Sequence, residues 1–341
     1  MSIWLFRAGN AGQYENKFLS DNRVYLTWDK LNIDLKQYGN REKLLNKVRD
    51  IYGGVKEKTA INWVSQIYPI AHRMRIGDWV VLPSKQTRTI HFGRITGDYV
   101  YDGSLGNPYY HYRKVEWFAK DIPRNNFDQD ILYSMGAYMT VCKIHRNDAE
   151  KRIKEMEQNG WKVPSITSAA QIIDSSADDS NTLDLEEYIY DTISKFIIQK
   201  YMGHNMELLV EEILKAKGFT TFHSPKGADR GVDILACGGE LGFGEPKICV
   251  QVKTQDAPVD RPTLDQLGGV MNNVGANYGL LVSWSGFNSN VLKEVPKQFF
   301  KIRLWDANDV IKQLFDNYET LSAEIKADIP LKRIWILSDE E

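Results

Sequence analysis

Two apolar segments joined by a glycine-rich turn constrain the second half of this chain more than any other feature. The first is Gly231-Val232-Asp233-Ile234-Leu235-Ala236 and the second is Ile248-Cys249-Val250-Gln251-Val252-Lys253. Side chains on a strand alternate between two faces. Val250 and Val252 are therefore expected in a core, with Gln251 and Lys253 together on the opposite face. Val232, Ile234 and Ala236 are core positions of the first strand, with Asp233 on its other face. The intervening Gly238-Gly239-Glu240-Leu241-Gly242-Phe243-Gly244 can turn the chain back on itself, so the strands pair as a hairpin. Register then decides whether Asp233, Gln251 and Lys253 meet.

The flanking sequence predicts alternating elements. Leu185 to Tyr201 and Asn205 to Lys217 read as helices, the second with Asn205 as N-cap and Gly218 as its stop. Strands are expected at Phe219–His223, Val232–Cys237, Ile248–Thr254, Tyr278–Ser283 and Ile302–Trp305. Helices are expected near Thr263–Val274, Asn288–Phe300 and Asn308–Tyr318. The fold class that follows is an α/β sandwich, a mixed sheet with helices on both faces.

The 341 residues exceed one typical domain. Gly160 to Leu183 turns to Ser, Asp, Ala and Thr, with Ile172-Ile173 as the single aliphatic pair after Ser165. Residues 160–184 therefore read as a linker between a domain at 1–150 and another at 185–341. The first domain reads mostly as β, with strands at Asp78–Pro83, His91–Tyr101 and Tyr109–Phe118, and helices at Arg41–Tyr52 and Thr59–Met74. Short strands with a few helices predict an α+β unit, a small β-barrel carrying side helices.

Charge narrows the partners modestly. The formal net charge is −2, yet residues 1–150 hold about 22 Lys and Arg against about 16 Asp and Glu. That surplus favours contact with phosphates. The three cysteines, Cys142, Cys237 and Cys249, fit neither a zinc spacing nor a disulfide framework. Met1-Ser2-Ile3-Trp4-Leu5-Phe6-Arg7 lacks a secretory apolar region, and no apolar run approaches a membrane span. The expectation is a soluble, cytoplasmic protein without a membrane partner.

A carboxylate, an amide oxygen and an ammonium on neighbouring strands suit phosphodiester hydrolysis. A carboxylate holds Mg²⁺, a hard cation that prefers oxygen ligands. A metal so held polarises the phosphate and lowers the pKa of its water. An adjacent Lys orients that water and offsets charge on the phosphate. Singly, an Asp or Lys on a strand is more commonly a solvated edge residue, and Gln and Lys alternating with Val also describe a half-exposed strand. The order of several pieces carries more weight than any one of them.

That order resembles the PD-(D/E)xK nuclease superfamily, and within it the Mrr-like family, over roughly residues 200–306. Met206-Glu207-Leu208-Leu209-Val210 matches its early helix. Gly227-Ala228-Asp229-Arg230-Gly231-Val232-Asp233-Ile234 matches its glycine-rich turn and strand, and Val250-Gln251-Val252-Lys253 its [QE]-x-K strand. The resemblance implies a restriction-endonuclease-like fold and a metal-dependent endodeoxyribonuclease. It implies Asp233 as metal ligand, Gln251 in the third motif position, Lys253 as catalytic Lys and Glu207 as helix acid, with Mg²⁺ as cofactor and Mn²⁺ a substitute. Gln251 stands where Glu is commoner, which removes one negative charge. Either its carbonyl oxygen serves as a ligand, or Glu207 supplies the missing charge. Asp229 is read as a turn-shaping residue.

Residues 1–145 more loosely resemble the PUA-like group that includes EVE and YTH domains. Gly77-Asp78-Trp79-Val80, Gly93-Arg94-Ile95-Thr96-Gly97-Asp98-Tyr99 and Arg113-Lys114-Val115-Glu116-Trp117 carry that likeness. It implies a reader that takes a flipped, modified base between aromatic rings. Trp28 and Tyr99 are the ring candidates, and Arg94, Arg113 and Lys114 the phosphate contacts. Trp4, Trp79 and Trp117 fit a core better.

Together the resemblances imply a modification-dependent restriction endonuclease acting against foreign or phage DNA. Cutting both strands with one site per chain calls for a homodimer or a higher assembly. A repair or recombination nuclease, a non-catalytic nucleic-acid-binding module and an RNA substrate stay open at this point.

Overall fold

In the computed structural model, residues 1–87, 89–136, 139–161, 185–225, 231–255 and 257–335 are described. The chain divides into two compact units, Met1–Asp191 and Thr192–Glu341. Among the described residues no helix is long and apolar enough to cross a membrane. The expected linker lies outside the described residues from 162 onward. At its start Trp161 belongs to the first unit, its ring stacked 4.5 Å from that of Phe92.

The first unit runs β1 (Ile3–Phe6), α1 (Glu15–Ser20), β2 (Arg23–Tyr25), α2 (Arg41–Ile51), α3 (Glu57–His72), β3 (Trp79–Pro83), β4 (Thr89–Ile95), β5 (Val100–Tyr101), β6 (His111–Pro123), α4 (Gln129–Met135), β7 (Val141–Ile144) and α5 (Ala149–Gln158). The strand expected at His91–Tyr101 is thus two, parted where Thr96 to Tyr99 leaves the ladder. The strand order is β2-β6-β4-β3-β1-β7, with β5 on β6. Every pairing is antiparallel except β1 with β3, where Trp4 lies opposite Val80.

This sheet is covered on both faces, and alternation sorts its side chains. Trp4, Phe6, Val80 and Leu82 enter one apolar cluster together with residues of α2 and α3. Ile3, Leu5, Trp79 and Val81 enter the other, with residues of α4 and α5. The path is open, and no pair closes it among the described strands. The expected small barrel is therefore corrected to an open mixed sheet. β2 and β7 end the path and do not pair with each other among the described strands.

The second unit is reached through α6 (Leu185–Lys200). The first turns of α6 are tied within the first unit, where Arg124 Nε and Nη2 donate to Asp191 Oδ1 and Oδ2 at 2.9 and 2.6 Å. Then come α7 (His204–Ala216), β8 (Thr220–His223), β9 (Ile234–Gly238), β10 (Gly244–Lys253), α8 (Arg261–Val274), β11 (Tyr278–Ser283), α9 (Ser289–Gln298), β12 (Ile302–Trp305), α10 (Ala307–Asp316) and α11 (Ala323–Asp328). The sheet order is β12-β11-β10-β9-β8. The pairs β8–β9 and β9–β10 are antiparallel, and β10–β11 and β11–β12 are parallel. This is the mixed sheet expected, with the β9–β10 hairpin in place. Cys249, Leu281 and Ile302 share a cluster with Leu264, Leu267 and Met271 of α8. Val250, Val252 and Leu280, pointing the other way by alternation, are buried too. The expected cap is displaced: α7 starts at His204 behind Gly203, whose φ is +66°, and Asn205 lies inside the first turn.

Two observations in the first unit lead to stability tests. A buried relay runs from Leu35 N–H to Tyr99 Oη (3.1 Å), from Tyr99 O–H to His111 Nδ1 (2.8 Å), and from His111 Nε2–H to Leu31 O (2.7 Å). His111 must be neutral to accept at Nδ1. Burial pushes its pKa down to about 4, with the Leu31 carbonyl opposing. An unfolded His titrates near 6.5, so the unfolded state binds the extra proton between these values. This contribution to stability is present above pH ~6.5 and lost as pH falls toward 4. Urea midpoints should fall across that window, and His111→Gln should be less stable at neutral pH with a shallower slope. An unchanged slope in the variant would assign the pH dependence to other groups. The second test concerns Gly93, where a Cβ would lie 2.3 Å from Val115 Cγ1 and 2.8 Å from Trp117 Cε3. Gly93→Ala should cost about 1–3 kcal/mol by overpacking, read from urea unfolding.

Candidate active site

The site grows from the end of the β9–β10 ladder. Regular pairing closes with Val250 opposite Ile234. One residue earlier Asp233 N–H still donates to Val250 O at 3.1 Å. There a side chain takes over from the backbone: Val252 N–H donates to Asp233 Oδ2 at 2.6 Å. Asp233 thus holds its carboxylate against the peptide that follows Gln251. On its other side Asp233 O accepts from Ser224 N at 2.9 Å. The carboxylate also acts on Cys249, whose thiol pKa is pushed up to about 11, first by burial and then by the Asp233 charge.

Gln251 and Lys253 follow Cys249 at every second position, so alternation places them on the α8 face of the sheet. β10 is held from both sides, with Gln251 opposite Leu281 and Lys253 opposite Ser283 on β11. Gln251 is buried, not half-exposed as the strand pattern implies. Its Oε1 is buried without a hydrogen-bond partner among the described residues. Gly231, at φ +87°, lies over this amide: a Cβ there would stand 3.7 Å from Gln251 Nε2 and 3.3 Å from Val270 Cγ2. Lys253 is partly exposed at the strand end, and its carbonyl accepts from Trp284 N at 2.9 Å. Asp229 and the turn expected around it lie outside the described residues.

Glu207, the helix acid, sits in the first turn of α7 and meets two imidazoles. His204 Nδ1 is 2.6 Å and His223 Nε2 is 3.0 Å from its Oε2. His223 Nδ1 is 3.0 Å from Glu211 Oε2, and Glu211 Oε1 accepts from Thr221 Oγ1 at 2.8 Å. Burial alone would raise the Glu211 pKa, but Thr221, His223 and Lys215 together hold it below the ordinary carboxylate value. The start of α7 is fixed near the end of β10, where Gly203 N–H donates to Thr254 Oγ1 at 3.1 Å. Sequence reasoning missed both histidines. The His204-to-Glu207 spacing of one helical turn was a usable signal, whereas His223 is joined to the group only by folding.

In the first unit the nucleic-acid candidates separate by burial. Tyr99 and Arg113 are interior and are corrected to structural residues. Tyr99 spends its hydroxyl in the relay above. Arg113 donates from Nε to Ile70 O at 2.7 Å and from Nη1 to Gly97 O at 3.1 Å. Arg94 and Lys114 are exposed, Arg94 lying 5.7 Å from the Phe118 ring centroid. Trp28 is half-buried against the α2–α3 side cluster. Trp4 and Trp79 are core residues, and Trp117 is partly buried with Nε1 donating to Phe18 O at 3.2 Å.

Comparison with known proteins separates the two parts of the chain. Residues 198–314 match the family model described as a restriction endonuclease (Mrr_cat). Residues 4–144 match a domain of unknown function (DUF8426). No curated protein matches. Among solved structures, the DNA modification-dependent restriction endonuclease AspBHI is similar at 13% identity, over 74% of this chain and 67% of that one, with a TM-score of 0.33. The MspJI restriction endonuclease in complex with a 27-mer oligonucleotide is similar at 14% identity, over 91% and 73%, with a TM-score of 0.30. Those superpositions are too distant to bear on mechanism, and the assignment rests on the family match together with the motif order. Residues 198–314 are a restriction endonuclease domain, and the protein is a nuclease that acts on DNA.

Proposed function

We propose that this chain is a modification-dependent restriction endonuclease that hydrolyses the DNA backbone with Mg²⁺ and restricts foreign DNA. The observation that supports this reading most is the pair formed by Asp233 and Gln251. A carboxylate is fixed against the 251–252 peptide, and the buried amide oxygen of Gln251 has no partner among the described residues. A buried oxygen acceptor left unpaired costs about 1–3 kcal/mol. Oxygen donors of this kind suit a hard divalent cation, so the residues present fit the metal. Asp233 and Gln251 would hold it. Bound there, the cation would polarise the scissile phosphate and acidify a water. Lys253 Nζ orients the attacking water and offsets negative charge on the phosphate. Glu207 is left out of this set, because its Oε2 already faces two ring nitrogens.

The first unit supplies target choice. Arg94 and Lys114 carry exposed cations for phosphates, and Trp28 offers a ring for a base removed from the stack. One site per chain makes two chains necessary for a double-strand cut, so the working form on DNA is a homodimer or a higher assembly.

A cleavage panel tests the reading: phage DNA with modified bases, plain plasmid and RNA, each with Mg²⁺ and with EDTA. Cutting of modified DNA alone, abolished by EDTA, is expected. Equal cutting of plain and modified DNA would replace the reading by a structure-recognising repair nuclease, and binding without cutting by a non-catalytic module.

Three substitutions sharpen this. Asp233→Ala and Lys253→Ala should each lower the cleavage rate by roughly a hundredfold or more with DNA binding intact. Full activity in either removes the site assignment. Gln251→Glu should keep activity and bind metal more tightly if only the oxygen matters, whereas Gln251→Ala should impair cleavage. Wild-type turnover by the Ala variant would make Gln251 a bystander. In the first unit, Arg94→Ala and Lys114→Ala should each reduce the slope of log affinity against log salt by about 1, measured by fluorescence anisotropy. An unchanged slope would move the phosphate contacts elsewhere.

A further inference from the structure

We propose that His204, Glu207 and His223 form a second metal site, one for a transition-metal cation such as Zn²⁺ and distinct from the Asp233–Gln251 pair. Ligand atoms of the three residues all lie within 4.8 Å of one another. The closest separations are 2.6 Å from His204 Nδ1 to Glu207 Oε2 and 3.0 Å from His223 Nε2 to the same oxygen. A four-coordinate Zn²⁺ with bonds near 2.0–2.2 Å sets its donors about 3.3 Å apart. Small outward movements would therefore admit the ion. Two imidazoles and a carboxylate are a borderline donor set, unlike the all-oxygen pair proposed for Mg²⁺. The partial exposure of all three residues leaves a fourth position to water.

The histidine at the centre carries the argument further. His223 places Nδ1 3.0 Å from Glu211 Oε2 and Nε2 3.0 Å from Glu207 Oε2. A neutral imidazole has one N–H and can satisfy one of these carboxylates. In the tautomer that gives Nδ1–H to Glu211, the Nε2 lone pair is turned toward Glu207 and is open to a cation held between them. A ligating His whose other nitrogen donates to a carboxylate is the usual outer support of a metal site. Glu211 is itself anchored by Thr221 and Lys215. Register separates the two sites. His223 lies opposite Ile234 on β9 and so shares the face that α7 covers, while Gln251 and Lys253 share the α8 face with Cys249.

The test uses the full chain stripped of metal, with Zn²⁺ titrated calorimetrically in excess Mg²⁺ and Co²⁺ titrated by visible absorption. One Zn²⁺ per chain is expected for wild type and for Asp233→Asn, with Co²⁺ giving the intense bands of a four-coordinate site. His204→Ala and His223→Ala should weaken uptake at least tenfold and abolish those bands, and Glu211→Gln should weaken it by about 10–100-fold. Circular dichroism checks folding. If His223→Ala does not fold, the partly exposed His204 decides by its own variant. The proposal is overturned if wild type takes up no Zn²⁺ against Mg²⁺, or if the His204 variant binds like wild type. It is also overturned if uptake is lost in Asp233→Asn but kept in the His variants. Because Asp233→Asn removes the nuclease ligand alone, failure of this site and failure of the nuclease assignment give different results.

Discussion

The hydrogen bond from Val252 N–H to the Asp233 carboxylate is where the backbone ladder gives way to the proposed site. Up to Val250 the hairpin is joined by backbone groups, which carry no chemistry of their own. At the next step the backbone partner is replaced by a side chain, and a carboxylate takes over a duty that a carbonyl normally fills. This holds the acid in place through one of its two oxygens. On the opposite edge β11 continues to pair with β10 through Lys253. Gln251 and Lys253 are thus positioned from strands rather than from loops, the arrangement that would hold the groups of the proposed site most tightly. The amide oxygen of Gln251, without a partner among the described residues, is the local cost, and buried polar groups left so in a native fold call for a functional explanation.

The first unit shows why polar residues on a strand do not mark a surface. The PUA-like likeness names Arg113 and Tyr99 as nucleic-acid contacts, which requires them to lie on a wet surface. Here both faces are covered, with Trp4 and Phe6 in one cluster and Ile3 and Leu5 in the other. A polar side chain on such a sheet must find partners inside. Arg113 finds two carbonyls, and its pKa is lowered by burial. The aromatic and basic richness of this segment therefore divides into interior hydrogen-bonding residues and a smaller exposed set that includes Arg94 and Lys114.

Local pattern made much of the second unit legible. The period-two alternation of residues 248–253 and the glycine run at 238–244 gave the hairpin, and five strands and their helices fell close to their expected places. The residues alone leave it to register whether Asp233 and Gln251 meet, and in the structure regular pairing ends with Val250 opposite Ile234. Local pattern failed where contact depends on packing. His223 reaches Glu207 from a strand 16 residues away, and nothing between them in sequence announces the meeting. Asn205 was a reasonable cap by residue type, yet the chain enters α7 through Gly203 at positive φ, with its N–H given to Thr254. Caps are decided by where the preceding chain comes from, which residue preference does not encode. The proposed reader function is least legible of all, since it depends on which rings remain exposed after two cores have formed.

Charge links the two proposed metal sites to one another and to DNA. With Gln251 in place of an acid, the Asp233 site contributes a single negative charge, and Lys253 nearby contributes a positive one. Mg²⁺ gives up its waters reluctantly and is commonly held by one or two carboxylates together with substrate phosphates. A ligand set this weak fills best when a phosphate supplies the missing charge, so under the proposed assignment the cation and the DNA backbone bind cooperatively. Glu207 would ordinarily be the residue to restore a second negative charge. Its engagement by His204 and His223 withdraws it from that task, and Glu211 behind His223 holds the ring in place. Under that assignment the nuclease centre is armed by its substrate rather than by its own carboxylates.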